Sequence, residues 1–416
     1  MRSPFEFSVV ENWLLQRFGD TVAPARIHIR LDSGAEGGFT GRDPVATVLI
    51  PGGRTLARLV LNPEFEFGEA YARGRLRVEG DLAALVEAAF RYIPKNRTGT
   101  LHANFVSRWL AWTQDNSLRG SRQNIHHHYD LKTDFYKLWL DPQLVYTCAY
   151  YADDSMTLEQ AQIAKMDHVC RKLQLQPGES VVEAGCGWGA LALHMARCYG
   201  VRVRALNISS EQIAFARQRA RQMSLSGRVE FIQDDYRNIS GRYDAFVSIG
   251  MLEHVGKQHY AEMRRVISRC VDKSSRGLLH FIGRNQSSKL NAWIRKRIFP
   301  GAYPPPLTEA LGLLEPLDLA VLDVENLRMH YARTLEDWLA RFEGSADRVA
   351  AMFGPEFVRL WRLYLAGSLA GFRAGSMQLF QVLFAGSECQ SIPITRDHLC
   401  RTRSRGGELK WMHATP

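Results

Sequence analysis

From about residue 157 onward, short apolar runs alternate with longer stretches in which apolar residues recur every three or four positions. The short runs, rich in Val, Ile and Phe, predict strands, and the longer periodic stretches predict helices. In chain order the segments are LEQAQIAKMDHVCRKL, SVVEAG, ALALHMARCYG, VRVRALNIS, SEQIAFARQRARQMS, RVEFIQDD, YDAFVSIG, HYAEMRRVISRCV and GLLHFIG. Such alternation is typical of a parallel sheet covered on both faces. The pattern therefore predicts an α/β, doubly wound fold, and LAVLDVENL and SMQLFQVLFAG can supply its last strands.

The first part of the chain follows a different pattern. RIHIRL, ATVLI and LARLVLN resemble short strands separated by Gly and Pro, and Asp81 begins the helical stretch DLAALVEAAFRYI. We therefore predict a small α+β domain over residues 1–115, a polar linker over 116–124, a second domain over 125–400 and a basic tail over 401–416.

Composition narrows the class of protein. The chain has 416 residues and a net charge of +10, which fits anionic lipid, nucleic acid or simple solubility equally well. No apolar run reaches the about 20 residues that span a bilayer, and the start lacks the order of a signal peptide, so a cytoplasmic protein is expected. The seven cysteines form no CxxC pair, which predicts reduced thiols rather than disulfides or a zinc site.

The stretch VVEAGCGWGALALHMA, residues 181–196, has glycines at 185, 187 and 189 where the first strand of the sheet meets its helix. Glycines there let backbone N–H groups approach a ligand, so a nucleotide-type site is expected. Neither the Walker pattern nor the G-x-G-x-x-G dinucleotide pattern is present, and the next strand ends in Asn207 instead of an acid. Glu183 suits a ligand that carries a cation, which points towards S-adenosylmethionine; a tight turn without ligand is the alternative. Asp235, at a later strand end, either bonds the adenine amine or is an ordinary strand-end residue.

Several ordered stretches make a more specific resemblance. They are HHYDLKTDFYKLWLD at 127–141, VYTCAYY at 145–151, EAGCGWG at 183–189, ISSEQ at 208–212, SIGMLEHVG at 248–256, LLHFIG at 278–283, WIRKRIFPGAYPP at 293–305, HYARTLEDW at 330–338 and GFRAGSMQLFQVLF at 371–384. In this order they resemble the cyclopropane-fatty-acyl-phospholipid synthase family, including the mycolic acid cyclopropane synthases. FEFGEAYARGRLRVEGDL at 65–82 is similar, less distinctively, to the lipid-carrier-like N-terminal domain of that family.

The resemblance implies a Rossmann-like class I methyltransferase sheet and methyl transfer from S-adenosylmethionine to a cis double bond of a phospholipid acyl chain, followed by ring closure. It also implies unsaturated phospholipids at an anionic membrane surface as partners, with no nucleic acid, peripheral attachment to the inner face of a bacterial cell membrane, and a homodimer. Bicarbonate would be the general base.

The resemblance also names site residues. The bicarbonate ligands would be Cys148, Glu253, His280, the amide of Ile282, and Tyr331. Contacts to the donor would come from Tyr146, Thr147, Glu183, Ala184, Gly185, Cys186, Gly187, Trp188, Gly189, Asn207, Ile208, Gln212, Asp235 and Tyr236. Taken singly, Cys148, His280 and Tyr331 are more typical of packing residues; their joint occurrence in matching motifs favours the site.

The chain departs from the family pattern in two places. Ser368 stands where some relatives have a cysteine, which removes that thiol as a nucleophile, and Lys132 and Thr133 replace a small residue and an amide. The triplet at 126–128, HHH, raises the possibility of a metal site, but consecutive histidines cannot all face one ion from regular structure, so we expect no metal.

Alternatives remain open. The basic and aromatic stretch WIRKRIFPGAY suits either a membrane interface or a solvated loop over the cleft. The nearest alternative function is that of a family member whose reaction ends at a methyl or methylene branch instead of a ring. An amine methyltransferase and a noncatalytic lipid-binding protein are more distant alternatives.

Overall fold

This computed structural model describes residues 4–93, 132–288, 290–403 and 409–411. The chain forms two compact units. The first combines residues 1–139, 284–303 and 331–378, and the second combines residues 140–283, 304–330 and 379–416. The expected domain limits at 115 and 124 lie outside the described residues and stay a prediction, as does the expectation that the histidines at 126–128 hold no metal.

The described strands, in chain order, are β1 (Ile27–Leu31), β2 (Glu36–Gly38), β3 (Ala46–Ile50), β4 (Arg77–Gly80), β5 (Ser180–Ala184), β6 (Arg202–Asn207), β7 (Val229–Gln233), β8 (Ala245–Ile249), β9 (Arg276–Gly283), β10 (Leu319–Asn326), β11 (Gln378–Gly386), β12 (Arg401–Arg403) and β13 (Leu409–Trp411). The described α-helices are α1 (Pro4–Val22), α2 (Gly53–Leu61), α3 (Pro63–Ala72), α4 (Leu82–Tyr92), α5 (Thr133–Tyr136), α6 (Leu158–Lys172), α7 (Ala190–Tyr199), α8 (Ser210–Gln222), α9 (Leu252–Val255), α10 (Tyr260–Cys270), α11 (Ala292–Arg297), α12 (Leu307–Leu311), α13 (Arg328–Gly344), α14 (Ala346–Phe353), α15 (Pro355–Arg373) and α16 (Asp397–Cys400).

The first unit has a four-stranded sheet in the order β2-β1-β3-β4. β1 and β3 pair in parallel, and the two outer pairs are antiparallel. The carboxylate of Asp81 accepts hydrogen bonds from the amides of Ala83 and Ala84, so it caps α4 as the sequence predicts.

One expected strand of this unit is wrong. LARLVLN lies in α2 and its C-cap, not in a strand. Leu56 and Leu59 are the fully buried residues of this segment, and a spacing of three places them on one face of a helix. A strand would have buried alternate residues instead.

Aromatic side chains hold the rest of the first unit together. Phe135 of α5 packs edge-on against Trp361 of α15, with ring centroids 5.0 Å apart. Trp139 meets Trp338 of α13 at 5.6 Å. The aromatic residues of the DFYKLW stretch therefore form core.

The second unit contains the predicted sheet. Its order is β10-β11-β9-β8-β5-β6-β7. The strands from β5 to β9 pair in parallel, and β10 pairs antiparallel with β11. Strand order reverses around β5, which lies between β6 and β8, and in sheets of this kind the ligand crevice is at the carboxyl ends of the strands beside that reversal. The doubly wound fold is therefore confirmed.

Apolar side chains cover both faces of this sheet. One cluster includes Val169 of α6 and Leu193 of α7, and the other includes Met263 and Ile267 of α10. These two layers fix the strand ends that carry the site. Among the described residues, none of the helices combines the length and apolar character that crossing a bilayer requires.

Candidate functional site

The glycine loop between β5 and α7 requires its glycines for two different reasons. Gly185, Gly187 and Gly189 have φ angles of +85°, +53° and +81°, in the left-handed region that other residues rarely adopt. A Cβ on Gly189 would lie 2.6 Å from the Phe231 ring, so packing excludes a side chain there. A Cβ on Gly187 would meet no atom of the described residues within 4 Å, so among these residues the turn is open on the side that a ligand would approach.

Residues that are predicted to bind the methyl donor come from three segments and lie together beside this loop. The Asn207 amide at the end of β6 donates to the Gly187 carbonyl at 3.3 Å and to Oε1 of Gln212 at 2.6 Å. The backbone N–H of Ile208 donates to Oδ1 of Asn207 at 2.8 Å. The loop, the β6 end and the first turn of α8 thus form one hydrogen-bonded group.

Glu183, the last but one residue of β5, is the buried acid of this group, with 2% of its surface exposed. Burial raises the pKa of Glu183 to about 7, although the nearby charge of Lys165 lowers it. Its Oε2 atom has no hydrogen-bond partner among the described residues. A carboxylate left in this state is suited to a cationic ligand group, which would favour its ionised form.

Other residues that are predicted to bind the methyl donor are buried in the glycine loop and after β7. Ala184, Cys186 and Trp188 are buried in or next to the loop. Asp235 follows β7, is buried, and accepts a hydrogen bond from the amide of Arg237. Tyr236 is buried beside it, and the guanidinium of Arg237 lies 5.4 Å from its ring centroid.

Thr147 connects the donor residues to the expected anion site. Its hydroxyl accepts a hydrogen bond from Nζ of Lys165 at 2.9 Å, and its carbonyl accepts one from Gln162 at 2.9 Å. A Cβ on Gly250, the residue after β8, would lie 3.0 Å from Thr147 Cγ2 and 4.0 Å from Glu253 Oε1. The Gly250 amide also donates to the carbonyl of His280 at 2.8 Å. The close packing at Gly250 therefore brings the Thr147, Glu253 and His280 segments together.

Glu253 and Ile282 are in direct contact. The Ile282 amide donates to Oε1 of Glu253 at 3.3 Å, and the Oε2 atom is buried without a partner among the described residues. Burial raises the pKa of Glu253 to about 7, and hydrogen bonds from the backbone only partly oppose this. The carboxyl group is thus less ionised at neutral pH than an ordinary carboxyl group and has one oxygen available for a ligand.

His280 is a neutral hydrogen-bond donor. Burial holds its pKa well below its usual value, and the charge of Lys165 lowers the pKa further. The Gln381 amide lies 3.1 Å from Nδ1 of His280, and if this amide donates, the neutral ring carries its proton on Nε2. The ring can then donate one hydrogen bond to an anion.

Of the other two expected bicarbonate ligands, Cys148 is fully buried beside Thr147, and its Sγ contacts the carbonyl of Ala149 at 3.1 Å. Tyr331 belongs to the first unit, where its ring packs 4.6 Å from that of Phe372 and 5.9 Å from that of Trp338. The second unit therefore brings four of the five residues into neighbouring segments, and the role of Tyr331 stays a prediction.

Comparisons with known proteins identify the family. The model for the mycolic acid cyclopropane synthetase family matches residues 116–382. A probable fatty acid methyltransferase of Pseudomonas putida is 32% identical over 380 residues, which are 87% of this chain and 93% of that protein. The chain belongs to the mycolic acid cyclopropane synthetase family.

Two further relatives agree with this assignment. The cyclopropane-fatty-acyl-phospholipid synthase of Escherichia coli (strain K12) is 37% identical over 259 residues, which are 62% of this chain and 66% of that protein. The structure of the mycolic acid cyclopropane synthase CmaA1 complexed with SAH and CTAB has a TM-score of 0.60 at 30% identity, and the match covers 63% of this chain and 97% of that one. The predicted Rossmann-like methyltransferase fold and the family resemblance are therefore confirmed.

The sequence-based search missed polar residues on the buried face of α6. Gln162, Lys165, His168 and Lys172 are each no more than 2% exposed. Lys172 forms ion pairs with Glu325 and Asp323 of β10. The signal was present, because residues 158, 162, 165, 169 and 172 follow helical spacing and three of these five positions are polar.

The first unit contains Ser368 and part of the basic and aromatic stretch, which the sequence analysis singled out. Ser368 is half-buried in α15. In α11, Trp293 is buried against Gly68, and Arg297 forms two hydrogen bonds with the carboxylate of Glu69, at 2.5 and 2.6 Å. These two side chains of the expected interfacial stretch are therefore engaged within the first unit.

Proposed function

We propose that the protein is a cyclopropane-fatty-acyl-phospholipid synthase, which adds a one-carbon unit from S-adenosylmethionine across a cis double bond of a phospholipid acyl chain. Family membership supports the coarser statement, an S-adenosylmethionine-dependent methyltransferase that acts on fatty acyl chains. The observation that carries the finer proposal is the contact of Glu253 with the Ile282 amide, because it creates a buried, hydrogen-bonding position for a base close to a donor-binding residue, Thr147.

The chemistry requires an enclosed site. S-adenosylmethionine supplies an electrophilic methyl group, and bicarbonate would supply the base that removes a proton. An alkene is a weak nucleophile, so the protein must align it with the methyl group and keep water from capturing the cationic carbon. The aromatic faces of Tyr146, Trp188 and Tyr236 would stabilise that carbon without offering it a nucleophile.

The donor fits the geometry beside β5. The open side of Gly187 would admit the donor close to the backbone, and the unpartnered Oε2 of Glu183 would pair with its α-ammonium group. Asn207, Ile208 and Gln212 would contact the donor at the end of β6, and Asp235 would accept a hydrogen bond from the adenine amine.

Bicarbonate fits the second group of residues. The free Oε2 of Glu253 would accept the hydrogen bond of the anion's own hydroxyl, and His280 would donate to another oxygen. The Ile282 amide, which has a single hydrogen, would share it between Oε1 of Glu253 and the anion. Cys148 and Tyr331 would complete the set. In this arrangement the proton lost from the transferred methyl group moves to a base that is held away from bulk water.

The main alternative is a fatty acid methyltransferase that leaves a methyl or methylene branch. The P. putida relative, named a probable fatty acid methyltransferase, is matched over 93% of its length, against 66% for the E. coli synthase, and this favours keeping the alternative. An amine methyltransferase is a weaker candidate, because amine acceptors need no buried site for a base like the one around Glu253.

Membrane contact and assembly are part of the same proposal. The acyl chains of phospholipids are reached at a bilayer surface, and the net charge of +10 suits anionic head groups on the inner face of the cell membrane. Binding to liposomes with and without anionic lipid tests this attachment. Light scattering tests the expected homodimer.

A labelled donor tests the reaction. The purified protein is incubated with S-adenosylmethionine carrying a trideuterated methyl group and liposomes of a cis-monounsaturated phospholipid; liposomes of the saturated lipid are the control. We expect a product that gains one carbon with two deuterons and has lost its double bond. Retention of all three deuterons, or of the unsaturation, would instead support a branched product, and an unmodified lipid would contradict both.

A further inference from the structure

Lys165 is a buried cation without a carboxylate partner. It lies in the middle of α6 with 2% of its surface exposed. Its Nζ atom donates one hydrogen bond, to the Thr147 hydroxyl at 2.9 Å. Within the described ranges no carboxylate oxygen lies within ion-pairing distance of Lys165. An ammonium group has three hydrogens to donate, so one hydrogen bond uses only one of them. Leaving such a group unpaired in the protein interior is costly.

A neighbour on the same helix shows the usual arrangement. Lys172 is buried to the same extent, and its Nζ atom lies 2.6 Å from Glu325 and 3.2 Å from Asp323. The second unit therefore neutralises one buried lysine of α6 with two acids of β10 and leaves the other with a hydroxyl group.

The acids around Lys165 do not replace this partner. The carboxylate of Asp141 accepts hydrogen bonds from the amides of Gln143 and Val145, one on each oxygen, and acts on Lys165 electrostatically without forming an ion pair with it among the described residues. Glu183 interacts with Lys165 electrostatically, yet burial raises its pKa to about 7, so its carboxyl group is less ionised at neutral pH than an ordinary one. Burial lowers the pKa of Lys165 to about 8, which leaves the ammonium group mostly charged at that pH.

The described residues assigned to the expected anion site include no cation. Glu253 is acidic, the pKa of His280 is held well below neutrality, and Cys148 offers at most a thiol hydrogen bond. Lys165 reaches this site through Thr147, whose methyl group packs against Gly250 next to Glu253. A monovalent anion in so enclosed a place is stabilised by a nearby positive charge.

We propose that the Lys165 ammonium group is the counter-cation of a carboxylate-type anion bound beside Thr147 and Cys148. The anion is a small, planar, monovalent oxyanion. Two sources have this chemistry, namely bicarbonate and the α-carboxylate of the methyl donor. This inference rests on the proposed function, which supplies both ligands.

Calorimetry tests the inference without measuring turnover. Sodium bicarbonate and S-adenosylhomocysteine are titrated separately into the wild-type protein, Lys165→Met and Lys172→Met in buffer depleted of carbon dioxide. We expect Lys165→Met to weaken the binding of one of the two probes about tenfold or more, because one partner of a buried charge pair is lost. Lys172→Met, the matched control, should leave both dissociation constants unchanged, since Lys172 has its own acidic partners.

The probes separate the two sources. Weakened bicarbonate binding alone identifies the anion as bicarbonate. Weakened S-adenosylhomocysteine binding identifies it as the α-carboxylate, provided that the decarboxylated analogue binds Lys165→Met as well as it binds the wild type. If Lys165→Met does not fold, Lys165→Gln, which keeps a hydrogen bond donor without the charge, carries the same expectations.

Two outcomes overturn the inference. Wild-type protein that binds both probes, with unchanged affinity in the Lys165 variant, leaves the proposed function standing and removes the counter-cation role. Wild-type protein that binds neither probe contradicts the proposed function and this inference together.

Discussion

The backbone amide of Ile282 donates a hydrogen bond to Oε1 of Glu253 across 3.3 Å. These residues are 29 positions apart in the chain, and the parallel pairing of β8 with β9 places their segments side by side. The contact uses one carboxyl oxygen and leaves the other buried and unpartnered among the described residues. A side chain in this state costs stability when it is ionised, and such a cost at a pocket is typical of a ligand-binding residue.

The first prediction concerns the stability of the ligand-free protein. Because the pKa of Glu253 is raised to about 7, the folded protein holds this proton more tightly than the unfolded chain does. The contribution of Glu253 to stability is therefore fully present below about pH 4.5 and is lost as pH rises through about 7. We expect Glu253→Gln to raise the free energy of unfolding at pH 8 by up to about 3 kcal/mol and to change it little at pH 5.

Denaturant unfolding at the two pH values measures this difference. Glu230→Gln is the control, because the Glu230 side chain is 65% exposed on β7 and should show no such pH dependence. A Glu253→Gln variant that is less stable than the wild type at pH 8 would contradict the prediction.

The second prediction separates two glycines of the same loop. Gly189→Ala places a Cβ 2.6 Å from the Phe231 ring at a positive φ, so we expect a loss of about 3 kcal/mol in unfolding free energy. The new methyl group of Gly187→Ala meets no atom of the described part of the chain, so the cost of this change is the backbone strain of about 1 kcal/mol. Its methyl group would instead obstruct the donor and weaken S-adenosylhomocysteine binding about tenfold. Thermal melts and calorimetry check both; unchanged binding by Gly187→Ala would show that the donor does not approach there.

The third prediction concerns a thiol outside the proposed site. Cys198 is exposed, and its Sγ lies 3.8 Å from Nδ1 of His194, whose Nε2 lies 2.8 Å from the carboxylate of Asp167. The hydrogen bond from His194 lowers the pKa of the Cys198 thiol. Thiolate is the reactive form, so Cys198 should react with iodoacetamide at neutral pH faster than the partly exposed Cys389. Peptide mass spectrometry follows the labelling of both cysteines. If Cys198 reacts as fast in His194→Gln as in the wild type, the role of the imidazole is refuted.

The sheet of the second unit was predictable because parallel strands buried on both faces form mostly apolar runs, as SVVEA and AFVSI do. The error in the first unit has the opposite cause. LARLVLN is short and mostly apolar, and the burial of Leu56 and Leu59 on a helical face depends on packing that local composition does not specify.

The residues of the candidate site that lie in sequence motifs were predictable, and those whose role depends on tertiary packing were not. The glycine loop, Glu253 and His280 lie in ordered motifs, whereas Lys165 lies in an ordinary-looking helix, and its importance depends on the absence of an ion pair with any described acid. Tyr331 belongs to the first unit, and its role at the base remains a prediction.

The most direct test of the account is lipid mass spectrometry on wild-type protein, Glu253→Gln and Glu230→Gln, each incubated with S-adenosylmethionine, bicarbonate and liposomes of a cis-monounsaturated phospholipid. We predict that the wild type and Glu230→Gln add one carbon and remove the double bond, and that Glu253→Gln forms this product about a hundredfold more slowly. Product formation by Glu253→Gln at the wild-type rate would contradict the role of Glu253 at the base, and unchanged lipid in wild-type samples that bind the donor would contradict the proposed reaction.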